Sequence, residues 1–209
     1  MLQIKKMENQ VSIEKQVVNF ISQQKRGTLF FPDDFVDFGS DGATRLALHR
    51  LENKDFLIRL AQGVYLYPEK DDLLGIIYPT IDEVAQAIAG RDKARIIPTG
   101  VEALNRLGLS TQVPMKVVYL TDGAPREVKV GKNSIKFKKT TPKNLAVKGE
   151  ISGLVIQALR ELGQEQVTES NKTKIHELLN KENPDHVLHD ARLAPAWIRK
   201  IMLHSKETT

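Results

Sequence analysis

The sequence predicts an α+β protein of two domains: a small helical domain with a β-hairpin over residues 1–74, and a mixed α/β domain over residues 75–209. Three observations lead there. Up to Tyr67 the chain alternates between helical apolar periodicity and short β-prone runs. A polar break with turn residues, Pro68-Glu69-Lys70-Asp71-Asp72, follows. Beyond it the pattern changes to charge-alternating strands between residues 116 and 139, then to helices alone. A chain of 209 residues accommodates two such domains.

Ser12 is placed to cap a first helix, in which Ile13, Val17, Phe20 and Ile21 form an apolar stripe. Gly27 is expected to end it as a C′ glycine. Thr28-Leu29-Phe30-Phe31 is short and β-prone. Pro32, with Asp33 and Asp34, opens a second, short helix: proline suits the first turn and the acids complement the dipole. Gly39-Ser40-Asp41-Gly42 is a tight turn before a third helix, Ala43 to about Lys54. Thr44, Ala47, Leu48 and Leu51 share its core face, while Arg45, His49 and, at the edge, Leu46 and Arg50 project away. Residues 56–60, the turn Ala61-Gln62-Gly63 and Val64-Tyr65-Leu66-Tyr67 read as a hairpin. Helix, short strand, short helix, turn, helix, hairpin is the order of a winged helix-turn-helix. Asp55 stands where many winged helices have glycine, and aspartate tolerates left-handed backbone.

In that architecture the third helix enters the DNA major groove, which is about 12 Å wide and admits one α-helix. Ser40 and Thr44, near its N-terminus, are then candidates for a phosphate contact alongside free backbone amides. Arg45 and His49, one turn apart on the outward face, are candidates for reading bases; Arg50 is placed for either task. Arg59 and Gln62 on the wing, with Lys25 and Arg26 after the first helix, are phosphate candidates. A second reading makes these residues the solvated face of a protein-docking module. The charge balance favours it: residues 1–78 hold 10 Lys+Arg against 11 Asp+Glu.

In the second domain, Thr80-Ile81-Asp82-Glu83 and Thr99-Gly100-Val101-Glu102 both have the form of a capping box. The helix after the second carries Leu104 and Leu107 and stops at Gly108. Val117-Val118-Tyr119-Leu120 is an apolar strand, and Asp122-Gly123 a turn. In residues 126–130 and 135–138, apolar and charged residues alternate around the turn Gly131-Lys132-Asn133-Ser134. Val128, Val130, Ile135 and Phe137 take the core face and Lys129, Lys136 and Lys138 the outer one. This basic ribbon reads either as a solvated edge, where lysine discourages strand pairing, or as a second surface for nucleic acid or an acidic partner. Later helices carry Ile151, Leu154, Val155, Ala158, Leu159 and Leu162, then Ile175, Leu178 and Leu179, then Ile198, Ile201 and Met202 after Pro195. Trp197 is expected to pack, and Ser205–Thr209 to fray.

Composition excludes several chemistries. The chain has no cysteine, hence no disulfide, thiolate metal site or cysteine nucleophile. It has no GxxxxGK[ST] or GxGxxG loop, no GxSxG elbow and no HExxH pair. His189-Asp190 resembles half of a metal phosphohydrolase pair, but no aspartate follows it. The expectation is therefore no catalytic residue, no metal and no cofactor, in a protein that is not an enzyme. No run approaches the roughly 18 apolar residues of a membrane span, and MLQIKKMENQ lacks the apolar core of a signal peptide, so a cytoplasmic protein is expected. The net charge of +5 is concentrated in residues 79–150, with 13 Lys+Arg against 7 Asp+Glu, which hints at a polyanionic partner.

Four segments, residues 30–68, YPTIDEVAQAIA, PTGVEALNRLGLSTQVP and VVYLTDGAPREV, together resemble in order a bacterial family related to the AbiEi antitoxins, over roughly residues 12–165. The resemblance implies an antitoxin of a type IV toxin–antitoxin, or abortive-infection, system. Its winged helix would bind inverted repeats in double-stranded DNA of its own promoter and repress it. Its second domain would support DNA binding and carry the antitoxin activity. The implied functional partner is a nucleotidyltransferase toxin, countered without a stable complex. The family's DNA-facing helix maps onto Ser40, Arg45 and His49, and its wing onto Arg59 and Gln62. A stand-alone winged-helix regulator is the alternative within the same class.

Overall fold

The computed structural model describes residues 11–203; the expected fraying of Ser205–Thr209, and the MLQIKKMENQ segment, lie outside the described residues. The architecture is mixed α+β. The chain forms two compact units, Met1–Val84 and Ala85–Thr209. The expected boundary after residue 74 falls instead within a short hairpin of the first unit.

In the first unit, Ser12 caps α1 (Ile13–Ser22), its hydroxyl accepting from the Lys15 amide. Gly27 does not end this helix. The helix stops at Gln23, and the Gly27 amide instead donates to the Tyr67 carbonyl at 2.8 Å, extending the pairing of β1 (Leu29–Phe30). The short second helix is present as a 3₁₀ helix, Pro32–Phe38. Its Asp34 carboxylate accepts from the Phe31 amide at 2.7 Å, satisfying one of the donors that every helix start leaves open. Next comes α2 (Asp41–Asn53), two residues longer at its start than the sequence pattern suggests. β2 (Ile58–Ala61) and β3 (Val64–Leu66) form a tight antiparallel hairpin, and the sheet runs β1-β3-β2. Gly63 turns the hairpin at φ +70°, a conformation that side chains with a Cβ resist. Asp55 enters it at φ +55°, with its amide donating to the Glu52 carbonyl.

One apolar core holds these elements together: Val17 and Ile21 of α1, Leu48 and Leu51 of α2, and Phe30, Phe35, Leu57, Tyr65 and Tyr67. Phe20 meets Phe30, Phe35 and Phe38 edge-on, with centroids 5.7–6.3 Å apart. Such aromatic pairs add about 0.5–1.5 kcal/mol each beyond their burial.

The polar run after Pro68 is not an open linker. It folds into a hairpin of β4 (Glu69–Asp71) and β5 (Gly75–Ile77). The Asp71 carboxylate accepts from the Leu73 and Leu74 amides, both at 2.8 Å, and pins the turn. The two leucines at its tip are 95% and 78% exposed.

α3 (Ile81–Arg91) begins with the expected capping box: the Thr80 amide donates to Glu83 and the Glu83 amide to the Thr80 hydroxyl. The unit boundary falls inside this helix. The second unit contains a four-stranded sheet in the order β6-β7-β9-β8: β6 (Ile96–Thr99), β7 (Lys116–Thr121), β8 (Arg126–Val130) and β9 (Asn133–Lys139). β7 and β9 are parallel and the other pairs antiparallel. Thr99 does not cap α4 (Val101–Arg106). It is the last residue of β6, the cap is Gly100 with no side-chain bond, and Glu102 instead pairs with Arg106 at 2.7 Å.

The remaining helices are α5 (Glu150–Leu162), α6 (Glu169–Leu179), α7 (Pro184–Leu193) and α8 (Ala196–Leu203). Val155, Ala158 and Leu159 of α5, Ile175 of α6, Ala191 of α7 and Ile198 of α8 are fully enclosed together with Ala103 of α4, and Trp197 packs against them.

Candidate nucleic-acid interface

The candidate surface is built on α2. Thr44, Ala47, Leu48 and Leu51 are buried, which turns Arg45, His49 and Arg50 outward into solvent. Ser40 caps the helix, its hydroxyl accepting from the Ala43 amide at 3.4 Å. Thr44 is corrected here. Its residue is 1% exposed and its Oγ1 is enclosed without a hydrogen-bond partner, so it lies in the core and not on a phosphate-facing surface.

Every cation on the outward face stands beside an acid. Arg45, 63% exposed, donates from Nε to both Asp41 oxygens, at 2.9 and 3.0 Å. That hydrogen bond, with the Asp41 charge, raises the guanidinium above its ordinary pKa. His49 Nδ1 lies 3.4 Å from Glu52, and the Asn53 amide lies 3.3 Å from His49 Nε2. Arg50 lies 3.9 Å from Glu14, which also pairs with Lys54. The Lys54 hydrogen bond draws the Glu14 carboxyl below the usual range.

Arg59 and Gln62 are exposed on the β2–β3 hairpin. Tyr65 lies opposite Arg59 in the β2–β3 register, a pairing that sequence reasoning missed. Burial raises its hydroxyl pKa, and Arg59, Glu52 and Arg45 all act on it electrostatically. Lys25 is exposed after α1. Arg26 is engaged: it donates to the Pro68 carbonyl at 2.9 Å and lies 4.6 Å over the Tyr67 ring, strapping the hairpin's end.

On the sheet of the second unit, Lys129, Lys136 and Lys138 are exposed on one face. The register places Glu127 opposite Lys136 and Ser134 opposite Lys129. Lys116 bonds Glu127 at 2.9 Å and lowers its carboxyl pKa, so an acid interrupts the ribbon.

The histidine–aspartate pair has a different occupation. Asp190, 0% exposed, accepts from the Lys148 and Gly149 amides at 2.9 Å each, from the Ser152 hydroxyl at 2.5 Å and pairs with His189 Nδ1 at 2.8 Å. Glu182 accepts from the Ile151 amide. Gly149, the helix cap, has no side chain to offer, and a Cβ there would lie 2.4 Å from the Ser152 hydroxyl. α5 is thus capped by two carboxylates from distant parts of the chain. The aspartate stands between serine and histidine, the reverse of a nucleophile–base order. Among the described residues, no group of three or more His, Asp or Glu is placed to hold a metal ion, and no helix is long and apolar enough to cross a membrane.

A family of unknown function, DUF6088, matches residues 16–187, from within α1 to within α7. The chain belongs to it. The outward face of α2, the β2–β3 hairpin and the basic sheet face all lie inside the DUF6088 match. None of the curated proteins matches the chain. Among solved structures, the DUF6088 chain is similar to the crystal structure of the RV2827C protein from Mycobacterium tuberculosis, at 12% identity and a TM-score of 0.42, over 94% of this chain and 82% of that one.

Proposed function

We propose that the first unit is a winged helix-turn-helix that reads double-stranded DNA, with α2 in the major groove and the β2–β3 hairpin as its wing. The observation that carries this reading is the two-sidedness of α2. Its apolar face is buried, and its opposite face presents Arg45, His49 and Arg50 to solvent. Helix N-terminal residues contacting base edges, and backbone contacts from flanking elements, are the ordinary division of labour in such motifs. Taken with the resemblance to AbiEi-like proteins, the proposed role is transcriptional autoregulation by the antitoxin of a type IV toxin–antitoxin system, with a nucleotidyltransferase toxin as functional partner. A stand-alone regulator differs only in lacking that toxin, and a nucleotidyltransferase gene beside this one distinguishes the two. The second reading is a protein-docking face, favoured by Asp41, Glu52 and Glu14, which offset the cations of α2.

The deciding experiment is a gel-shift titration on the gene's own upstream region with unrelated DNA as competitor. A preference of about a hundredfold or more, rising toward the roughly 10³–10⁷ of specific regulators, supports the DNA-reading function. No preference at low salt overturns it and leaves the docking face.

A further inference from the structure

We propose that Asp41 is a positioning residue that aims Arg45 at a single guanine; this rests on the DNA-reading function above. Arg45 meets Asp41 through Nε, which lies within 3.0 Å of both carboxylate oxygens. The two terminal Nη groups have no hydrogen-bond partner among the described residues. Guanine presents two acceptors, O6 and N7, side by side on its major-groove edge, and arginine meets them with two parallel donors. An arginine held at Nε keeps donors available for that contact and has less rotamer freedom to lose on binding.

The placement on α2 is consistent with this role. Asp41 lies in the first turn and Arg45 one turn further, where recognition helices touch bases. A carboxylate near DNA repels phosphates and lowers affinity for any sequence. Asp41 is therefore a device that weakens binding in general and sharpens it for one base.

The two effects have opposite signs, which makes the test discriminating. Fluorescence anisotropy would follow wild type, Asp41→Asn and Asp41→Ala on a duplex from the gene's upstream region and on a scrambled duplex of equal length. Circular dichroism would verify helix content, and Asp41→Asn, which keeps a polar first-turn residue, carries the test should Asp41→Ala disturb α2. The expected result is a roughly tenfold fall in the ratio of specific to scrambled affinity, with scrambled affinity unchanged or tighter, a loss within the span of one arginine–guanine contact. Equal tightening on both duplexes, or an unchanged ratio, overturns the positioning role and leaves Asp41 as a repulsive charge only. A wild-type ratio near one overturns the DNA-reading function itself, and the positioning role with it.

Discussion

Removing the Asp190 carboxylate tests how the second unit is held together. In Asp190→Ala the amides of Lys148 and Gly149 and the hydroxyl of Ser152 lose their acceptor at a site closed to water. An enclosed donor left unpaired costs about 1–3 kcal/mol, and the lost anion at the α5 N-terminus about 0.3–2 kcal/mol more. Water entering the vacated space recovers part of this, so the expected loss is about 3 kcal/mol. For a unit of this size that is a fall of roughly 10 °C in melting temperature. The assay is thermal unfolding of the full chain by circular dichroism at neutral pH, following the transition of residues 85–209. Asp190→Asn keeps one acceptor and should lose about half as much. The pH dependence gives an independent check. Burial pushes the Asp190 carboxyl up, but the hydrogen bonds from Ser152, His189 and the Gly149 and Lys148 amides outweigh it, leaving the pKa below the ordinary value. Its contribution is therefore complete above the unfolded pKa of about 4 and is lost as pH falls through the lower folded value. Wild type should lose stability more steeply than Asp190→Asn in that acid window. A melting temperature for Asp190→Ala within about 3 °C of wild type, or parallel acid limbs, would refute the capping argument.

The remaining expectations concern the proposed interface and one backbone position. Arg45→Ala should weaken binding to the upstream DNA by about ten- to a hundredfold and binding to unrelated DNA by far less, measured by competition gel shift. Changing Lys129, Lys136 and Lys138 together to Ala should flatten the slope of log K against log salt by up to about 2.7, if each lysine neutralises one phosphate. An unchanged slope would identify the ribbon as a solvated sheet face. Asp55→Gly should stabilise the first unit by roughly 0.5–1 kcal/mol in urea titration, because φ +55° costs any residue with a Cβ. A loss of stability would mean that the Asp55 side chain matters more than its backbone.

Local features were legible in the sequence where they depend on neighbours a few residues away. The two faces of α2, the Ser12 and Ser40 caps, the Thr80–Glu83 box and the alternation across β8 and β9 are all of this kind. Features set by distant partners were not legible. Thr99–Glu102 has the same pattern as Thr80–Glu83, yet pairing of Thr99 with Val118 in the sheet overrides it. Gly27 looks like a helix terminator, but Tyr67 claims its amide. The acids that flank the candidate cations come partly from another helix, as Glu14 does for Arg50. The α5 cap arrives from residues 182 and 190, and no local signal in Gly149-Glu150-Ile151 announces it. For Thr44, helical periodicity gave the right face, and the phosphate role assigned to it conflicted with that burial.

The β4–β5 hairpin closes on itself. Its ladder joins residues 69–71 to 75–77, and Asp71 pins its turn. Nothing in the ladders of the two larger sheets passes through its tip. Lengthening such a loop costs only about 0.6 kcal/mol per doubling. The segment at Leu73-Leu74 is thus the place where the chain can gain residues without altering either core. Among relatives it is where length should vary most, and in the laboratory it is the natural seat for an inserted tag or fluorophore.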